Sequence, residues 1–239
     1  VEYLQQHARV RFDTTATAVE TEPIAVRTAS GERIRADHIV LAVNGPTAFD
    51  LVAPLAQLTE RPELGAGVAL VVLVVDEPLL DARPRGTGML VSPASDTVAA
   101  KAATHVTAKW DWANRAASAL AEHRHVVRLS YGRITDPPDG SAPGYHTSDE
   151  HLYHLALDDA AAMFGLEQSH LTEALVDWQL VRWHNEMPLT TPENTRRLTA
   201  IRQAAASTDW LQVTGAWFAG TGLAAVTKHA TDLKFYPLQ

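Results

Sequence analysis

Short segments in which hydrophobic and polar residues alternate predict the strands of this chain. Four of them follow one another near the start and predict a small antiparallel unit, at residues 9–12, 16–20, 24–28 and 33–35. Two continuous apolar runs predict strands buried on both faces, at residues 38–43 and 68–76. Further strands are predicted at residues 89–92, 126–131, 175–183 and 211–218.

Helices are predicted where capping residues precede apolar residues at helical spacing. Thr147, followed three residues later by Glu150, forms a capping box for a helix that ends at Gly165. Thr191 and Pro192 begin a helix that runs to about residue 205. Other helical patterns lie at residues 1–7, 47–58, 95–103 and 222–233, although β-branched residues soon after the third argue against it. These elements together predict an α+β fold with a mixed or antiparallel sheet.

The composition of the chain argues against several classes of function. The 239 residues carry a formal net charge of −8 with scattered basic residues, which disfavours a nucleic-acid or anionic-membrane surface. The chain has no cysteine, so it offers no disulfide, thiolate zinc site or cysteine nucleophile, and we expect a cytoplasmic protein. The longest aliphatic run, at residues 68–75, is too short to cross a bilayer, and the first residues do not resemble a signal peptide.

The end of the chain carries a glycine motif. Residues 220–225 read GTGLAA, follow a predicted strand and open a predicted helix, as in a dinucleotide-binding turn. Only 14 residues follow, so a second strand and a ribose-binding acid cannot complete a βαβ unit after it. Two interpretations stay open at this point: a helix start that meets an anion or an electron-rich ring edge, or close packing without a ligand.

Histidines and tryptophans are the other candidate functional residues. The spacings of His123 with His125, and of His151 with His154, would suit a metal site, but neither pair lies near further ligands in a known pattern. We therefore predict no metal and expect locally bonded or solvated histidines. Most tryptophans are expected in the core, and one or two of them could line a pocket for a flat apolar substrate.

Four segments in order resemble the FAD-dependent protoporphyrinogen and coproporphyrinogen oxidases, within the wider flavin amine-oxidase superfamily. The first is TAVE at residue 17 with VRTASG at 26 and ADHIVLA at 36. The second is GTGML at residue 86, followed by KW at 109. The third is RWHNEMP at residue 182 and the last is VTGAWFAGTG at 213. The chain departs from the family at Ala216, Leu189 and Glu193-Asn194, where an asparagine, an aromatic residue and Gly-His are usual.

The resemblance implies a role for individual residues. It implies that the backbone of Val19 meets the adenine of FAD, and it places beside the flavin Gly215, Gly220, Thr221 and Gly222. It implies that the tetrapyrrole is sandwiched by Leu90 and Trp110, with a weaker propionate contact at Lys109. Residues 1–58 and 191–239 would belong to the FAD-binding domain and residues 59–190 to the substrate-binding domain. No catalytic side chain is predicted.

The reaction implied by the resemblance is the stepwise oxidation of a porphyrinogen to a porphyrin in haem biosynthesis, with FAD as cofactor and molecular oxygen as final acceptor. The family's N-terminal GxGxxG segment has no counterpart in this sequence, so we expect the chain alone to bind FAD weakly or not at all, and any weak membrane association to come from that segment. Two alternatives remain: an amine oxidase or phytoene-desaturase-like flavoprotein of the same superfamily, and a non-catalytic tetrapyrrole-binding domain. The sequence predicts no oligomeric state.

Overall fold

The computed structural model describes residues 6–65, 67–134, 136, 140–183 and 188–234 of the chain. Internal contacts divide the chain into two compact units. The first comprises Val1–Leu64 and Glu186–Gln239, and the second comprises Gly65–Asn185. Each unit has its own hydrophobic core.

The described strands and helices have the following bounds. The strands are β1 Ala16–Thr21, β2 Ile24–Thr28, β3 Arg33–Arg35, β4 Ile39–Leu41, β5 Val68–Asp76, β6 Gly88–Leu90, β7 Ala102–His105, β8 Arg124–Tyr131, β9 Leu175–Trp183 and β10 Leu211–Val213. The helices are α1 Gly45–Ala56, α2 Val106–Lys109, α3 Asp111–Ser118, α4 Asp149–Phe164, α5 Gln168–Glu173, α6 Pro192–Ala206, α7 Ala216–Ala219 and α8 Leu223–Thr231, with a 3₁₀ helix at Pro78–Ala82.

The first unit holds two small sheets. One is antiparallel with the strand order β1-β2-β3, and Val19 pairs with Val26 in it. The other is a parallel pair of β4 and β10, in which Ile39 lies opposite Leu211. Parallel neighbouring strands need a long connection between them. Here that connection contains the whole second unit, which lies between β4 and β10 in the sequence.

Helices α1 and α6 pack in the core of the first unit. The Asn44 side chain caps α1 by accepting the Thr47 N–H at 2.9 Å, and Thr191 caps α6 in the same way. The α1 backbone lies so near the indole of Trp217 that a Cβ on Gly45 would stand 2.3 Å from its Cε3. Glycine at residue 45 therefore permits this close approach.

The second unit is a five-stranded antiparallel sheet in the order β6-β7-β8-β5-β9. Every second side chain of the interior strand β5 is fully buried, from Ala69 to Val75, and those between are half-buried. Helix α4 contributes Leu152, Ala156 and Leu157 to the same core. Burying one such leucine contributes roughly 1.5–3 kcal/mol, so this helix and sheet hold the unit together.

A buried carboxylate ties the loop before β7 to helix α4. Asp159 accepts the N–H of Ala99 at 3.1 Å, the N–H of Ala100 at 2.7 Å and the hydroxyl of Tyr131 at 3.0 Å. Burial raises the pKa of Asp159, although these bonds partly offset that effect. Burial and the nearby Asp159 charge also raise the pKa of Tyr131.

The structure confirms the α+β class and most of the predicted elements, and it corrects several of them. Residues 9–12 form no strand, since none of the described strands pairs with them; the Arg11 side chain bonds to Glu32. Residues 38–43 and 68–76 are not buried on both faces: Val40 is 37% exposed, and β5 alternates. Residues 95–103 are not a helix, and the strand β7 begins within them.

Two boundaries also differ from the prediction, and three short helices are additional. The cap of α4 is Ser148, which accepts the His151 N–H, rather than Thr147, while Gly165 ends the helix as predicted. The strand predicted at residues 211–218 ends at Val213, because the backbone turns at Gly215 into α7. Helices α2, α3 and α5 were not predicted. Parts of three predicted segments lie outside the described residues. They are residues 1–5 of the predicted first helix, parts of the predicted loop at 136–144 and residues 184–187 of the third family-like segment.

Candidate functional site

The glycine motif of the first unit lies between β10 and α8, with the short helix α7 before it. After β10, the Thr214 N–H donates to the carbonyl of Leu41 at 2.9 Å and extends the parallel pair by one bond. The Thr214 hydroxyl bonds to Nδ1 of His229 at 2.9 Å, which fixes the far part of α8 against the strand end. The sheet and the last helix therefore hold this bend from both sides.

Three glycines shape the bend. Gly215, Gly220 and Gly222 have φ values of 104°, 97° and 105°, a region that L side chains rarely adopt. A Cβ on Gly222 would meet nothing within 4 Å, and one on Gly220 would meet only the Cβ of Ala225 at 4.0 Å. Glycine is thus required there by backbone conformation, not by close packing, and the backbone is open to a ligand.

The start of α8 adds a favourable polarity to this open backbone. Gly222 is the N-cap and provides no side chain to bond the first N–H groups of the helix. Such groups, with the positive end of the helix dipole, favour an anion or the electron-rich edge of a ring. The bend therefore has room for a ligand, and the ligand-binding interpretation of the glycine motif stays a prediction.

A cleft of about 450 Å³ adjoins the glycine bend within the first unit. One wall is a face of helix α6 and the other comes from α7 and the bend, with lining residues that include Thr195, Leu198, Thr199, Arg202, Gly220 and Thr221. The guanidinium of Arg202 donates to the carbonyl of Phe218 and so connects the two walls. Arg202 is not predicted from the sequence, because nothing in its local pattern distinguishes it from the other basic residues of α6.

A second cleft of about 270 Å³ lies beside β10 and is lined by Ala205, Leu211, Val213 and Leu233, among others. Among the described strands, β10 pairs with β4 alone. Helix α8 has no buried residue, and Leu223 is 86% exposed. This side of the first unit therefore presents an open strand edge and an apolar helix surface.

Val19, the predicted adenine contact, lies in β1, which has β2 as its neighbour among the described strands. Its side chain is buried in the core of the first unit. Backbone groups of an edge strand remain available on one side. The structure thus places the Val19 side chain in the core, and the contact of its backbone with adenine stays a prediction.

The three predicted substrate residues lie in the second unit. Leu90 is 88% exposed at the end of β6, where it pairs with Ala102 at the start of β7. Trp110 is 47% exposed and follows α2, beyond the other end of β7, and the Lys109 ammonium lies 5.4 Å from its ring centroid. Lys109 and Trp110 therefore form one local contact, and the structure does not bring Leu90 beside them.

The histidine pairs behave differently from each other. His123 Nδ1 and His125 Nε2 bond to the two carboxylate oxygens of Asp81 at 2.8 Å and 2.9 Å. His125 Nδ1 also lies 3.1 Å from Nε2 of the fully buried His105. His151 and His154 line a shallow depression on α4. Within the described residues no group of three or more such side chains is placed to hold a metal ion, and no described helix could span a membrane.

Comparison with known proteins shows the family. The family model of flavin-containing amine oxidoreductases matches residues 1–230. The chain belongs to this family. Among the relatives of this family member are the coproporphyrinogen III oxidases of Mycobacterium bovis and Mycobacterium tuberculosis, each 31% identical over 203 residues. These residues are 84% of this chain and 40% of each relative, so the chain spans well under half of the relatives' length.

Solved structures agree on the fold of this family member. A proposed protoporphyrinogen oxidase from Exiguobacterium sp. 255-15 matches it with a TM-score of 0.67 and 22% identity, over 96% of this chain and 48% of that one. A reduced UDP-galactopyranose mutase matches with a TM-score of 0.61 and 14% identity, over 86% of this chain and 41% of that one. At these identities the likeness concerns the fold alone.

Proposed function

We propose that this chain contributes the substrate domain and part of the FAD site of an oxygen-dependent porphyrinogen oxidase. The substrate would be coproporphyrinogen III or protoporphyrinogen IX, oxidised to the porphyrin in haem biosynthesis. The observation that carries the proposal is the open glycine bend before α8, in a chain whose family is flavin-containing and whose curated relatives are coproporphyrinogen III oxidases. Bound FAD would supply the hydride chemistry.

The residues of the bend fit a flavin edge. Three positive-φ glycines let the backbone approach a flat ring, and the uncapped start of α8 offers N–H donors to its electron-rich atoms. Gly215, Gly220, Thr221 and Gly222 would hold the flavin, with Val19 toward the adenine end. The task of these groups is positioning and the exclusion of water, so a proton-transferring side chain is not required of them.

We assign the cofactor to the first unit and the substrate to the second. Contacts divide the chain after Leu64 and before Glu186, a few residues from the boundaries at 58 and 190 that the sequence predicts. In the second unit Trp110 would supply an aromatic face to the tetrapyrrole, and the neighbouring Lys109 would supply a cation to a propionate. Leu90, exposed at the end of β6, would provide a separate apolar contact.

The chain by itself should bind FAD weakly or not at all. The strand edge of β10 and the apolar surface of α8 are open in the first unit, and the curated relatives are far longer than this chain. The segment that would grip the pyrophosphate is therefore expected in additional sequence, with a GxGxxG turn after a strand. Titration of the 239-residue chain with FAD, followed by flavin fluorescence, tests this expectation, and saturation at low micromolar FAD would contradict it.

A substrate panel on the complete flavin-loaded protein tests the function itself. We expect turnover of coproporphyrinogen III or protoporphyrinogen IX, with formation of the fluorescent porphyrin and consumption of oxygen. Amine and carotenoid substrates serve as the comparison, because other members of the superfamily oxidise them. Oxidation of an amine without oxidation of either porphyrinogen would reject the proposal. Binding of porphyrin without turnover would indicate a non-catalytic tetrapyrrole-binding protein.

A further inference from the structure

A small polar cleft in the second unit is not used by the proposed reaction. It has a volume of about 190 Å³ and lies among the 3₁₀ helix, the ends of β7 and β8, and helices α2 and α3. Its floor is formed by buried polar side chains: His105 is fully buried, Thr107 is 2% exposed and His125 is 7% exposed. Buried polar groups are costly unless bonded, so this floor depends on the hydrogen bonds that its own side chains make.

Several charged and polar groups of the cleft already have hydrogen-bond partners within the protein. Both oxygens of Asp81 bond to histidines, and Arg124 donates two bonds to Asp76 at 2.7 Å and 2.9 Å. Thr107 contacts Nδ1 of His125 at 3.2 Å and also accepts the N–H of Val126 at 3.3 Å. These groups form the fixed part of the site and have little capacity left for a ligand.

Other lining groups keep unused donors. Among the described residues, the side chains of Arg83, Asn114 and Ser118 have no hydrogen bond or ion pair, yet all three line the cleft. Nδ1 of the buried His105 also has no partner in the described part of the chain, but it is the acceptor of a neutral ring whose Nε2 donates to Nδ1 of His125, so it is not one of these donors. Burial, His125 and Arg83 lower the pKa of His105 to about 4.

We propose that this cleft binds a small oxyanion, either a phosphate or a carboxylate, through Arg83, Asn114 and Ser118. A guanidinium, an amide and a hydroxyl are the donors that suit such a group. Arg83 is held by a left-handed backbone with φ of 51°, and its own N–H bonds to the carbonyl of Leu80. The opposing charges are Asp81, whose two oxygens bond to histidines, and Glu122, whose side chain is 89% exposed and lies 4.0 Å from Nε2 of His123.

The proposal predicts that two variants change the affinity for the oxyanion in opposite directions. Arg83→Gln removes the uncompensated cation, so affinity should fall by about tenfold or more. Glu122→Gln removes a repelling charge, so affinity should rise by about twofold to fivefold. Arg115→Gln, on an exposed turn of α3, deletes the same charge as Arg83→Gln without touching the cleft, and we expect it to bind like the unmodified chain.

The experiment is an NMR titration of the ¹⁵N-labelled chain at constant ionic strength, with inorganic phosphate in one arm and acetate in the other. Saturable shifts at Asn114 and Ser118 in either arm, weakened in Arg83→Gln and strengthened in Glu122→Gln, would support the proposal and identify the source of the oxyanion. Absence of saturable shifts in both arms would overturn it. Unchanged binding in Arg83→Gln would also overturn it. Weaker binding in Glu122→Gln would do the same, because a carboxylate that strengthens binding indicates a cation site.

Discussion

Replacement of Asp159 by asparagine tests the polar anchor between the β7 loop and α4. One carboxylate oxygen accepts the Ala99 N–H, and the other accepts the Ala100 N–H and the Tyr131 hydroxyl. An asparagine keeps one acceptor oxygen and turns the other atom into a donor. If it faces Ala100, that buried N–H loses its partner, which costs about 1–3 kcal/mol. The Tyr131 hydroxyl can rotate to accept from the new amide, so its bond need not be lost.

The same change alters the pH dependence of stability. Because burial raises the pKa of Asp159 above its unfolded value, the folded state binds this proton more readily. The contribution of Asp159 to stability is therefore greatest below the unfolded pKa and declines as pH rises toward the raised folded pKa. The amide of the Asp159→Asn variant does not titrate, so the stability difference between the two proteins should be larger in acid than at neutral pH.

The assay is urea unfolding followed by circular dichroism at pH 7 and in a series toward acid. Asp158→Asn is the matched control, since Asp158 is exposed and adjacent in sequence. Asp159→Asn should lose about 1–3 kcal/mol at pH 7, while the control should change by less than about 0.5 kcal/mol. Equal stability of the two variants, or a difference from the unmodified chain that grows as pH rises, would refute the role given to this carboxylate.

Two predictions concern the proposed cofactor and substrate contacts. In the complete flavin-loaded enzyme, Trp110→Ala should raise KM for the porphyrinogen by about tenfold, because it removes an aromatic face. Trp112→Ala, on the exposed side of α3, serves as the control. Unchanged KM and kcat for Trp110→Ala would reject the contact. Gly222 has a φ of 105° and open space around it, so Gly222→Ala should lower the free energy of unfolding by roughly 1–3 kcal/mol. It should also lower the temperature at which flavin fluorescence appears on heating. Gly31→Ala, at a φ of 85° and away from the bend, should lower stability without a selective loss of flavin. Equal flavin retention in both variants would count against the bend as the flavin site.

The sequence by itself determined the local elements with strong signals. The Thr191-Pro192 start of α6 and the Gly165 end of α4 depend on capping and on backbone conformation, which adjacent residues set. The alternation in β1, β2 and β9 is also local, and the structure has these strands where the pattern predicts them. The family resemblance, confirmed by the family match over residues 1–230, rests on the order of such segments.

Tertiary structure decided which of these elements meet. Pairing of β4 with β10 joins residues separated by the whole second unit, and no local pattern encodes that distance. Residues 9–12 alternate like a strand but have no strand to pair with, and residues 214–219 turn away because Gly215 adopts a positive φ. The polar cleft at Arg83 also arises only when residues 81–83 fold against residues 105–125. Backbone propensity acts over a few residues, whereas pairing and burial depend on the complete fold.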